Sequence, residues 1–112
     1  MLNDKPIKIF VSLPMKGHST EDIIKRRDLV INKFESACEG ISPKYEVINQ
    51  IWDTDNIPNP NNKIWCLGKS IQALGEADLV IFAAGWPMAN GCVVERLICD
   101  LYKIPKIDEA DL

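Results

Sequence analysis

Six consecutive apolar residues, Leu79-Val80-Ile81-Phe82-Ala83-Ala84, leave this chain few ways to fold. The run is too short for a buried helix, and because it does not alternate with polar residues it must be covered on both faces. A strand covered on both faces belongs in the middle of a parallel sheet, with helices above and below it. Asp78 leads into this strand, and the rest of the chain supplies strands and helices in alternation.

Ile7-Lys8-Ile9-Phe10-Val11-Ser12 is rich in β-branched and aromatic residues and stops at Leu13-Pro14, which predicts a first strand. After the loop from Pro14 to His18, Ser19 sits where an N-cap would, and Glu21 and Asp22 fall in the first turn. Ile23, Val30, Phe34 and Ala37 recur at helical spacing, so a long helix is expected to end near Gly40. Tyr45-Glu46-Val47-Ile48 predicts a short strand near a sheet edge. Residues 49 to 63 contain five Asn, two Asp and two Pro with little apolar periodicity, the composition of a long functional loop or lid. Ile64, Leu67, Ile71 and Leu74 share one helical face before Gly75, where that helix should stop. Val94, Leu97, Ile98 and Leu101 mark a third helix with Asn90 as its expected N-cap, and Ile104-Pro105-Lys106-Ile107 predicts a last strand.

This alternation implies right-handed crossovers and an α/β fold. The expected form is a three-layer α-β-α sandwich with a four- or five-stranded parallel sheet, flavodoxin-like or Rossmann-like. Ligands of such sheets bind beyond the carboxyl ends of the strands, where the strand order reverses. The loops 12 to 18, 49 to 63 and 84 to 91 are therefore expected to converge on one crevice.

A chain of 112 residues buries one core, so a single domain over residues 1–112 is expected. Its 46% apolar and 26% charged residues are an ordinary globular balance. The net charge of -3 and pI near 5.1 provide no basic field, which argues against a nucleic-acid polymer as partner but leaves a single nucleotide open. Cys38, Cys66, Cys92 and Cys99 show neither a C-x-x-C pair nor zinc-ligand spacing, and no secretory segment is read ahead of them. Reduced thiols, a cytoplasmic location, no metal and no cofactor are the resulting expectations. No apolar run is long enough to span a bilayer.

Gly68-Lys69-Ser70 looks like the end of a phosphate loop, but position 63 is Lys and the triplet lies inside the second helix. The first loop lacks G-x-G-x-x-G, and Ser12 stands where a phospho-accepting receiver domain would keep an acid. Dinucleotide binding and phospho-relay are both disfavoured. Glu95 follows a loop that must border the crevice, and the helix dipole is expected to favour its ionised form. An ionised carboxylate can trap or stabilise an oxocarbenium-like sugar. The plain alternative is a surface Glu that stabilises a helix start. Lys16 at the crevice mouth suits a phosphate or is simply solvated, and His18 is a proton donor or incidental. Trp52 and Trp86 either stack on a base from opposite loops or fill gaps beneath them.

The stretches Ala77-Asp78-Leu79-Val80-Ile81-Phe82, Gly85-Trp86 and Asn90-Gly91-Cys92-Val93-Val94-Glu95-Arg96 resemble the nucleoside 2-deoxyribosyltransferase superfamily, in particular a small phage and bacterial branch. Ile9-Phe10-Val11-Ser12-Leu13-Pro14-Met15-Lys16-Gly17 is similar to the first strand and sugar-binding loop of that branch. The resemblance implies that Glu95 is a nucleophile forming a glycosyl-enzyme. It implies a substrate pocket lined by Ser12, Pro14, Met15, Lys16 and Gly17, with Trp86, Asn90 and Gly91 on the facing loop. Two positions depart from the pattern. Ser70 stands where an Asp assists the leaving base, and Ala89 stands six residues before the nucleophile where a polar or acidic residue is usual, although Asn90 is adjacent. The expected activity is cleavage or transfer at the N-glycosidic bond of a (deoxy)nucleoside or its 5′-monophosphate, in a homodimer or larger homo-oligomer. A nucleotide-binding module without turnover and a domain serving mainly assembly are the alternatives.

Overall fold

The computed structural model describes residues 5–38, 44–50 and 62–112. The strands are β1 (Ile7–Ser12), β2 (Tyr45–Val47), β3 (Leu79–Phe82) and β4 (Lys106–Asp108). The helices are α1 (Thr20–Ala37), α2 (Asn62–Leu74) and α3 (Asn90–Tyr102), with single 3-10 turns at Trp86–Met88 and Glu109–Asp111. All four strands are parallel, in the order β2-β1-β3-β4. The order reverses between β1 and β3, which places the switch point at their carboxyl ends.

The apolar run behaves as its composition requires: Val80, Ile81 and Phe82 are fully buried, between one core on each face of the sheet. Alternation along the strands divides those cores. Ile9, Val11, Leu13, Ile81 and Ala83 pack against Val30, Ile31 and Phe34 of α1. Phe10, Val80 and Phe82 pack on the other side with Leu74 of α2 and Cys99 of α3. The domain is thus a three-layer α/β sandwich with β2 on an edge.

Several boundaries move from their expected places. β3 ends at Phe82 rather than Ala84: Ala83 still donates its N–H to the Ser12 carbonyl of β1 (3.0 Å), and the chain then turns through Gly85 at φ 89°. β2 ends at Val47, although Ile48 still donates to the Ile9 carbonyl (2.9 Å). β4 starts at Lys106 rather than Ile104. Ile104 donates its N–H back to Cys99 at the end of α3, and Pro105 has none to give, although the Pro105 carbonyl already accepts from the Val80 amide of β3 (2.9 Å). Ser19 caps α1 as expected, accepting from the Asp22 amide at 3.2 Å, but α1 ends at Ala37 with Cys38 as its cap. Gly40 lies outside the described residues. α2 begins at Asn62, inside the segment expected to be loop, and residues 51–61 of that loop lie outside the described residues.

The third helix differs most. Its N-cap is Ala89, with extended backbone (φ -111°, ψ 117°) and a carbonyl that accepts from Val93. Asn90 is therefore the first helical residue and makes no capping bond. The buried stripe is Cys92, Glu95 and Cys99, spaced i, i+3 and i+7, whereas Leu97 and Leu101 are 56% and 67% exposed. Among the described residues no helix is long and apolar enough to cross a membrane.

Candidate active site

Because Phe10 and Ser12 alternate with Val11 along β1, the Ser12 side chain falls on the face that α2 and α3 cover. It lies at the carboxyl end of β1, in register with Phe82 at the end of β3, and is fully buried. Its hydroxyl donates to Oε1 of Glu95 at 2.7 Å. Ser70 of α2 also hydrogen-bonds the Glu95 carboxylate, and the Cys92 thiol lies one helical turn before it beside Ser12. The structure thus gathers Ser12, Ser70 and Glu95 at the switch point from three separate elements. Glu95 is only 5% exposed.

The electrostatics of this cluster follow from its dryness. Burial raises the pKa of Glu95, and the hydrogen bonds from Ser12 and Ser70 oppose the rise without cancelling it. The expected dipole assistance is weak here, because Glu95 lies six residues after the cap at Ala89 and the dipole acts mainly within the first turn. Burial likewise pushes the Cys92 thiol up to about 11; the hydrogen bond with Ser12 lowers it and the neighbouring Glu95 charge raises it further.

The other expected site residues scatter. Pro14, beside Gly85, and His18 line a cavity of about 440 Å³ on the α1 side, not the Glu95 cluster. Met15 packs against the α1 core and its carbonyl accepts from the His18 amide, while Lys16 and Gly17 are exposed, Gly17 at φ 81°. Trp86 is not an open stacking platform. The Arg96 guanidinium lies 4.2 Å from its ring centre and Phe82 meets it edge-on at 5.8 Å. Asn90 is exposed. Gly91 faces α2, where a Cβ would meet Leu67 at an ordinary 3.8 Å, so lack of space is not what calls for glycine. Trp52 lies outside the described residues. Gln50, just before them, is buried, and its Oε1 finds no partner among the described residues.

Two features escaped the sequence reading. Cys92 carried a local signal, since a residue three before Glu95 shares its helix face. Glu109 carried none. This buried acid accepts from Arg26 Nη1 (3.0 Å) and Nη2, from Lys33 Nζ (2.6 Å) and from the Ala84 amide (2.8 Å), joining α1 to the loop after β3. Those bonds, the Arg26 pair foremost, bring its pKa down to about 2 despite burial. A separate hollow of about 420 Å³ beside β2 and α2, lined in part by Lys8, Val47 and Lys69, does not include Glu95. Among the described residues no group of three or more His, Cys, Asp or Glu gathers in a way that would hold a metal. No family model, curated protein or solved structure matches the chain.

Proposed function

We propose that this protein cleaves or transfers at the N-glycosidic bond of a (deoxy)nucleoside or its 5′-monophosphate, with Glu95 as nucleophile. One observation carries the reading: a nearly dry carboxylate, held by a serine hydroxyl at 2.7 Å, at the switch point of a parallel sheet. In the first step a Glu95 oxygen attacks C1′, the bond from C1′ to the base nitrogen breaks, and its electron pair leaves with the base, which takes up a proton. Ser12 fixes one carboxylate oxygen during the attack. Water or a second base then attacks C1′ and releases the Glu95 carboxylate. Since the nucleophile must be ionised and its pKa is raised, turnover rises with pH through the ordinary carboxylate range and beyond.

The working form we infer is a cytoplasmic homodimer or larger assembly. Val93, Leu97 and Leu101 form an exposed apolar stripe at i, i+4 and i+8 on α3, which supports self-association. Light scattering behind a sizing column tests it, and a monomer at working concentration contradicts it.

The second reading, a nucleotide-binding module without turnover, is favoured by the same dryness, since a carboxylate pushed toward its neutral form is a poorer nucleophile. Incubation with a panel of deoxynucleosides and their 5′-monophosphates separates the two. Free base from the wild type, reduced at least about 10³-fold in Glu95→Gln, supports the enzyme. A bound ligand recovered chemically intact supports the module.

A further inference from the structure

A serine hydroxyl has one proton and two lone pairs, and the proton of Ser12 is committed to Oε1 of Glu95 at 2.7 Å. Any further partner of that hydroxyl must therefore donate to it. The Cys92 side chain is such a partner, hydrogen-bonded to Ser12 from the first turn of α3. It is 2% exposed and shares the sheet-facing side of the helix with Glu95, three residues on. With its pKa up at about 11, the thiol keeps its proton at neutral pH. The three groups thus form a directed chain, S–H to Oγ–H to Oε1, in which each bond polarises the next. Among the described residues no charge competes for Glu95. Ser12 of β1 and Ser70 of α2 hydrogen-bond it, and on its own helix the thiols of Cys92 and Cys99 sense its charge. Arg96, next in sequence, is bound to Asp108 at 2.6 Å, and Lys106, beside Cys99, to Asp100 at 2.5 Å.

We propose that Cys92 is a positioning residue for Glu95: its S–H donates to Ser12 Oγ and so fixes the direction in which the Ser12 O–H points. The thiol touches no substrate and acts only through the serine. By holding that O–H on the carboxylate it favours the charged form of Glu95 against burial. Its bearing on catalysis rests on Glu95 being the nucleophile, whereas the chain of donors itself does not.

The test is the titration of Glu95 in the full chain, followed by NMR of ¹³C-labelled glutamate carboxyls and assigned by the resonance missing in Glu95→Gln. No substrate is needed, so its outcome is independent of the glycosidic reading. Cys92→Ala and Cys92→Ser leave side chains of nearly equal size, and only the second keeps a donor. Cys92→Ala should raise the Glu95 midpoint by at least about 0.5 pH unit, and Cys92→Ser should restore at least half of that rise. In a Ser12→Ala background the difference between the two should vanish, since the serine carries the effect. An unmoved midpoint in Cys92→Ala, equal midpoints for Ala and Ser, or the same difference without Ser12 overturns the proposal. A Raman spectrum of the S–H stretches keeps Cys92 itself intact and needs no variant at that position. One of the four cysteine bands should move to higher frequency in Ser12→Ala, where the thiol loses its acceptor, and four unmoved bands also overturn the proposal.

Discussion

Glu95 and Glu109 are equally hidden, at 5% and 4% exposure, yet their environments drive them in opposite directions. Glu109 faces a guanidinium, an ammonium and a backbone amide, so its charge is fully partnered and its pKa falls to about 2. Glu95 faces two serine hydroxyls and a thiol, none of them charged, and burial raises its pKa. Burial alone therefore says little about a carboxylate, and the partners decide. A carboxylate paired with two cations is held in its charged form and ties elements together, whereas one held only by neutral groups is pushed toward its neutral form.

The largest change in stability is expected from Glu109→Ala, which strands Arg26 and the Ala84 amide. Unfolding by urea should give a loss of roughly 2 to 4 kcal/mol, and a loss near zero would mean that solvent already satisfies these groups. Next come the two limbs of the stability curve with pH, which should have opposite signs. Glu109 is depressed, so its contribution is complete above the ordinary carboxylate pKa of 4.5 and is lost as pH falls toward about 2. That contribution is about 1 to 3 kcal/mol, discounted because Arg26 and Lys33 are partly exposed. Glu95 is raised, so its folded state is favoured below the ordinary carboxylate pKa and loses stability as pH rises through the folded value. Glu109→Gln should flatten the acid limb alone, and Glu95→Gln the other alone.

Ser12→Ala follows, at roughly 1 to 2 kcal/mol, because the buried Glu95 oxygen loses its donor. If the nucleophile reading holds, this variant also moves the pH profile of turnover upward, since a bond favouring the charged form is gone. An unmoved profile would show that Ser12 does not tune Glu95. The smallest effect is expected at Lys103, which ends α3 in the left-handed conformation at φ 58°. Lys103→Gly should stabilise by about 0.5 to 1 kcal/mol in thermal melts without touching either acid.

What could be read from the sequence was what neighbours in sequence decide. The apolar run named β3, the hydroxyl of Ser19 named the start of α1, and the alternation of elements named the sandwich. Ser12 and Glu95 were placed together because both lie at the ends of elements that must meet at a switch point, and they do meet. Of the apolar residues that mark α3, Ile98 packs against the core, while Leu97 and Leu101 are exposed because Cys92, Glu95 and Cys99 lie on the side turned to the sheet. Trp86 offered a free ring on paper, but Arg96, bound at 2.6 Å to Asp108, covers it. The Glu109 hub joins residues 76 and 83 positions apart, and no local pattern encodes such a meeting.

The most direct observation is the mass of the intact protein after rapid acid quenching during turnover of a deoxynucleoside. The chain should carry one added deoxyribosyl group, located by fragmentation on Glu95 and missing in Glu95→Gln. Base release with Glu95 never modified, or no release from any substrate tried, would contradict a nucleophilic role for this carboxylate.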